Sequence, residues 1–222
     1  MIILHHVPQT RSMRVLWLLH ELGIPHEVVV HPFDKSLRRP EFLAKSPAGR
    51  VPALEIDGET LFESGAMIEV LCERFPEAGL GRAPDHRERA AWLQWLHFAE
   101  TVSQHSAALT QQHVALYDDS MRSPILMKLE AKRLEKCFAA IDARIAGDWL
   151  LAGGFSAVDV AVGQAVYMSR HFVATEPLAR LHAWVGRSEA RPAFRAALPK
   201  PGERGLYTQD FYPPWPMARE GA

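Results

Sequence analysis

Cysteine is scarce in this chain: 222 residues hold two, Cys72 and Cys137, far apart and in no CxxC pair. That excludes a disulfide scaffold and a zinc ribbon, and fits a reducing compartment. Long apolar runs are missing too. None approaches the eighteen or more residues that a membrane span needs, so no membrane partner is expected. The opening MIILHHVPQTR lacks a basic flank before a long apolar core, so no secretory signal is expected and the reading is cytoplasmic. Nor is there an excess of either charge. Twenty-five Lys and Arg balance 26 Asp and Glu, giving a formal net charge of -1, and no nucleic-acid partner is expected. No internal repeat is visible. What remains is 48% hydrophobic and 23% charged, enough apolar material for a globular core.

The first 77 residues alternate β-rich and helical patterns. Ile2-Ile3-Leu4 and Glu27 to Val30 read as strands. Between them Val15, Leu16, Leu18, Leu19 and Leu22 share one helical face over residues 12–22. Gly23 then supplies a left-handed stop and Pro25 forbids continuation. This is a βαβ unit, hence a parallel strand pair. Pro52 to Ile56 and Glu59 to Phe62 flank Asp57-Gly58, the strongest short hairpin signal. Helical spacing returns over residues 64–75 with Ala66, Met67, Val70 and Leu71. The order is β-α-β, a connection with room for a helix, then β-β-α.

From Pro76 to Pro84 the composition turns to Gly, Pro, Ala and Arg, which reads as a linker. Beyond it the pattern is helical, with helices expected at about 86–117, 123–146, 156–170 and 176–190. Ser156 followed three residues later by Asp159 predicts a capping box opening a buried helix. The tail from Pro199 is rich in proline and aromatic residues and is expected to be irregular. The domains so read are 1–77, a linker at 78–85, an all-helical part at 86–198 and the tail at 199–222.

Two stretches now carry chemistry. Ser46-Pro47-Ala48-Gly49-Arg50-Val51-Pro52-Ala53-Leu54 and Glu63-Ser64-Gly65-Ala66-Met67 resemble the glutathione-binding signature of the glutathione S-transferase family. Thr10 to Gly23 resembles the first helix of that family's bacterial and fungal members, Phe155 to Val160 its buried capping segment, and Trp184 to Phe194 its late helix. The resemblance spans roughly residues 1–198 in the expected order. It implies an α/β thioredoxin-like N-terminal domain (βαβ-ββα), an all-α C-terminal domain, glutathione as co-substrate, a hydrophobic electrophile as second substrate, and a homodimer. The exposed faces of the helices near 64–75 and 86–110 would make the dimer contact.

The resemblance also implies a cis peptide at Val51-Pro52. Such a bond costs only about 0.5–1 kcal/mol before proline and would leave the main chain of Val51 free to pair with glutathione's cysteinyl backbone. Ser64 and Gly65 open a helix, where unpaired N–H groups and the dipole favour the γ-glutamyl carboxylate. Glu63 would accept from the ligand's ammonium, while Ser64 also reads as the N-cap. Arg50, with a fork suited to carboxylates, would neutralise the glycyl end.

The catalytic group must stabilise a thiolate whose free pKa lies near 8.5. No Tyr or Cys stands before the first helix. Comparison with the family's Asn-Ser-Arg-Ser pattern points to Thr10 first, Ser12 second, and Gln9 as an amide donor. Phe98, Thr101, His105 and Tyr117 are candidates to line the acceptor pocket, with Tyr207, Phe211, Tyr212 and Trp215 as its lid. No metal site is read: His20, Glu21 and His26 are mis-spaced for HExxH, His5 and His6 point to opposite strand faces, and His97, His105 and His113 lack supporting ligands. The expected activity is glutathione transfer. Glutathione-dependent peroxidase or isomerase activity, and a non-catalytic interaction module, stay open as alternatives.

Overall fold

The computed structural model describes residues 1–203 and 205–213. Its sheet has the order β2-β1-β3-β4. Strand β1 (Ile2–His6) runs parallel to β2 (Glu27–Val30), with His6 opposite Val30. The crossover is α1 (Ser12–Leu22), which ends on Gly23 at φ 63°, as the Gly-Ile-Pro sequence predicts. Strand β3 (Ala53–Ile56) lies antiparallel on the other side of β1, and β4 (Glu59–Leu61) closes a hairpin with it. Asp57 at φ 51° and Gly58 at φ 88° make that turn, whose two positive φ angles match the right-handed strand twist.

Helix α3 (Ser64–Arg74) follows at once. The connection from β2 to β3 holds a 3₁₀ turn at Lys35–Arg38 and the one-turn helix α2 (Pro40–Leu43). Leu37 and Phe42 bury their side chains against Val7 and Ala53, with Val51 packed alongside.

The expected linker is anchored. Leu80 is buried, and its carbonyl accepts from Ala157 N–H at 3.0 Å and Trp92 Nε1–H at 3.1 Å. Arg82, also buried, meets Glu88 at 3.0 Å, because a charge removed from water needs a partner. Helix α4 (Arg89–Thr110) starts three residues later than expected and widens into a π turn at Gln111–Ala115. Then come α5 (Pro124–Arg144), α6 (Ala157–Ser169), α7 (Ala179–Ala190) and α8 (Pro192–Ala196). The break between α7 and α8 falls at Arg191, held extended at ψ 133°, since the residue before a proline is pushed out of the helical region.

Helix α6 is buried almost all round, and α1 and α4 pack on it. Its capping box forms: Asp159 Oδ2 accepts from Ser156 N–H at 2.9 Å. The other oxygen, Oδ1, accepts from Leu150 N–H and Trp184 Nε1–H, both at 3.0 Å. Among the described residues no helix is long and apolar enough to cross a membrane.

Candidate functional site

Three corners of the α/β half converge. The first is the start of α3. Glu63 is exposed and sits at φ 73°, a conformation that costs a non-glycine residue about 1–3 kcal/mol and is typical of functional turns. It is Glu63, not Ser64, that occupies the N-cap, and it caps nothing with its side chain. Ser64 is the first helical residue and is buried; its Oγ accepts from Arg14 Nη1–H at 3.3 Å. Its hydroxyl proton, and the first-turn N–H groups that a helix leaves unpaired, remain for an anion.

The second corner is the cis Val51–Pro52 peptide, the geometry the resemblance implies. Among the described residues the N–H and C=O of Val51 enter no hydrogen bond. Gly49 at φ 61° makes the preceding turn, and a Cβ there would meet the Leu37 carbonyl oxygen at 2.8 Å. Arg50 beyond it is exposed.

The third corner is the β1–α1 loop. Gln9 sits at φ 54°. Its Oε1 accepts from Tyr207 N–H at 2.9 Å, so the amide is turned to the tail. Thr10 is half-buried, and its hydroxyl donates to the Val7 carbonyl at 2.8 Å. Ser12 is fully buried, its Oγ 2.8 Å from Thr10 Oγ1 and 2.8 Å from His6 Nδ1. Ser12 therefore stands one layer behind Thr10, without an opening of its own. Burial holds His6 at a pKa of about 4 against a weaker opposite pull from Glu203, so its ring is neutral near pH 7.

Sequence reading missed what joins these corners. Arg14 is completely buried. Besides Ser64 it donates to Gln164 Oε1 at 3.0 Å, to Ser103 Oγ at 2.8 Å and to the Glu100 carboxylate. Gln164 Nε2 then donates to the Thr10 carbonyl at 3.2 Å. One guanidinium thus ties α1, α3, α4 and α6 together, linking the Ser64 and Thr10 corners. Burial works against charge on Glu100, yet Arg14 and Arg11 hold its carboxyl below the usual range. Two signals were available: an arginine flanked by Met13 and Val15, and a glutamine inside the apolar run of α6. Buried polar groups of that kind require partners.

Other candidates lie elsewhere. Phe98 and Thr101 line a shallow hollow of about 480 Å³ on the outer face of α4 with Leu93, Gln94 and His97. His105 turns to Glu130 of α5 at 2.6 Å, and Tyr117 is 86% exposed. The α4 face toward Arg14 instead carries Glu100 and Ser103, three residues apart, and a helix at 100° per residue cannot turn both faces to one site. In the tail, Tyr207 and Tyr212 are buried, Phe211 is exposed, and Trp215 lies outside the described residues. Tyr207 stacks on His171 with ring centres 4.0 Å apart, and its hydroxyl meets Thr110 Oγ1 at 2.8 Å. His5, facing away from His6, bonds Glu55 and His31, each at 2.8 Å.

Residues 4–79 match the family described as glutathione S-transferase, N-terminal domain. The chain is 31% identical to glutathione S-transferase 4 of Zea mays over 81% of its own length and 83% of that relative. It is 28% identical to the disulfide-bond oxidoreductase YfcG of Escherichia coli, over 90% and 95% of the two chains. A sphingomonad glutathione S-transferase solved in complex with glutathione superposes with a TM-score of 0.74 at 26% identity, covering 88% of this chain and 96% of that one. With the βαβ-ββα half, the helical half, the cis proline and the Glu63–Ser64 turn in place, the chain belongs to the glutathione S-transferase family.

Proposed function

We propose that this chain is a glutathione transferase working as a cytosolic homodimer, with residues 1–77 as the glutathione-binding domain. A linker at 78–85 leads to a helical domain at 86–198, and Tyr207 and Tyr212 of the tail pack on the helical side. The cysteinyl part of glutathione pairs with the main chain of Val51, held at the ligand edge by Pro52. The γ-glutamyl carboxylate docks on the Ser64 hydroxyl and the N–H groups of Ser64 and Gly65, its ammonium on Glu63, and Arg50 faces the glycyl carboxylate. The thiol proton leaves to solvent, and the Thr10 hydroxyl donates to the resulting thiolate. That sulfur attacks an apolar electrophile, forming a C–S bond as the leaving group departs with the electrons of its own bond.

The observation that carries this reading is the buried Arg14, which hydrogen-bonds Ser64 directly and reaches Thr10 through Gln164. It holds two of the three corners in fixed relation, the preorganisation that ligand capture needs. Calorimetric titration with glutathione tests it. Ser64→Ala should weaken binding about tenfold, the worth of one charge-assisted hydrogen bond. A chain that takes up no glutathione at millimolar concentration overturns the assignment.

A second reading follows from the Escherichia coli relative named as an oxidoreductase. Cys72 and Cys137 are both buried, and burial pushes the Cys72 thiol up to about 12. Any disulfide exchange would therefore run on the sulfur of bound glutathione. Oxidised glutathione as product, in place of a thioether, distinguishes this activity.

A further inference from the structure

Behind Thr10 a row of hydrogen bonds runs inward, and its far end is an imidazole. Thr10 Oγ1 and Ser12 Oγ are 2.8 Å apart, as are Ser12 Oγ and His6 Nδ1. Val7 N–H donates to Ser12 Oγ at 3.1 Å, and Ser12 N–H to Thr10 Oγ1 at 3.3 Å. A hydroxyl has one proton and two lone pairs, so the tautomer of His6 decides which way the row points.

With the ring proton on Nδ1, Ser12 Oγ accepts from His6 and from Val7, which fills both lone pairs. The serine proton then has two acceptors, Thr10 Oγ1 at 2.8 Å and the Val7 carbonyl at 3.1 Å, and the shorter contact carries it outward to Thr10. Thr10 Oγ1 in turn accepts from the Ser12 hydroxyl and the Ser12 N–H, so its own proton is left for a group in the cleft. In the structure that proton rests on the Val7 carbonyl at 2.8 Å, and a rotation about χ1 re-aims it. With the ring proton on Nε2, Ser12 instead donates inward to Nδ1 and Thr10 loses that support.

We propose that His6 and Ser12 are positioning residues: the Nδ1–H tautomer of His6 orients the Ser12 and Thr10 hydroxyls in series so that Thr10 donates to the glutathione thiolate. No proton changes owner along the row; only hydrogen-bond direction is set. The inference rests on the role given to Thr10 above. A neutral ring carries a single ring proton: on Nε2 it draws the Ser12 proton inward, and on Nδ1 it releases that proton to Thr10 Oγ1, the nearer of its two remaining acceptors, and burial keeps His6 neutral near pH 7. Hydrogen bonds in series also polarise one another in a low-dielectric interior.

The test is to titrate the thiol of bound glutathione through thiolate ultraviolet absorbance and the pH profile of kcat/KM. Ser12→Ala and His6→Phe should each raise that pKa by about one unit, a tenfold loss of thiolate well below the pKa. Glutathione affinity measured below the thiol pKa should stay within about twofold of wild type, because the row touches only sulfur. His6→Asn, whose side-chain amide can put an N–H near the Nδ1 position, should recover most of the shift. That rescue keeps the proposal open to refutation even if Ser12→Ala fails to fold. A depressed wild-type thiol pKa left unmoved by Ser12→Ala and His6→Phe sinks the row and leaves the transferase reading standing. A wild-type protein that forms no thiolate with glutathione sinks both.

Discussion

Arg14 is a full charge with no exposure, and its hydrogen-bond partners come from three other helices. Removing it strands the buried Ser103 and Gln164 groups and takes from Glu100, which is 39% exposed and keeps Arg11 at 3.5 Å, its nearer cation, a loss of about 3 kcal/mol. Arg14→Ala should therefore lower unfolding free energy in denaturant by that order, and glutathione binding with it. A loss under about 1 kcal/mol would show that Glu100 finds water instead. His6 supplies a pH signature. Its folded pKa of about 4 lies below the value near 6.5 expected when unfolded, so the unfolded chain takes the proton first. Stability is then full above about pH 6.5 and falls towards pH 4 by roughly 3 kcal/mol. His20, His31, His113 and His171 are lowered chiefly by burial too and slope the same way, so the His6→Asn difference curve isolates the share of His6. An unchanged slope in that variant counts against a buried neutral ring.

Helix α6 is the element on which the helical half is assembled, and its close approach to α1 depends on one glycine. A Cβ at Gly163 would lie 2.9 Å from two ring atoms of Trp17, and Trp17 is fully buried, so the ring cannot yield. Gly163→Ala should cost about 1–3 kcal/mol through overpacking, read as a lower denaturation midpoint, even though alanine is the better helix former. A stabilised variant would mean that the α1–α6 contact is loose. The start of α6 also marks how far local reading reaches. Ser156 and Asp159 three residues apart announced the capping box, because both partners belong to one turn of chain. That Asp159 also takes the Trp184 indole could not be read, since its partner lies 25 residues away on α7.

For the whole molecule, both thiols are shut in. Burial raises Cys72 to about 12 and raises Cys137 as well. Folded protein should thus react with a thiol reagent at least about tenfold more slowly than protein in denaturant, since only the thiolate attacks. Rapid labelling of one cysteine in the native state would reveal a local opening. The tail is the other large-scale feature. Tyr207 and Tyr212 pack on His171 and Phe172 just past α6, while the Tyr207 N–H holds Gln9. A Cβ at Gly205 would lie 2.4 Å from Gln9 Oε1, so a larger residue there would have to turn the Gln9 amide aside. The tail was legible as irregular; its seat against the β1–α1 loop was not.

Strand and helix order, the Asp57-Gly58 hairpin, the Gly23 stop and the Ser156–Asp159 cap were determined by the sequence itself, because each is a property of neighbouring residues or of a short period. The cis Val51-Pro52 peptide was legible only through the family resemblance, and at Glu63-Ser64 the helix start was legible while the cap was placed one residue late. Only the tertiary structure decided which hydroxyl stands outermost. Thr10 and Ser12 offer the same hydroxyl in the sequence, and their order in depth, like the turning away of the Gln9 amide, depends on a histidine at the end of β1 and a tail residue nearly two hundred positions on. It also decided the role of Arg14, whose partners come from helices the chain reaches 50 to 150 residues later. A buried charge is defined by what surrounds it, and that is settled when the helices pack.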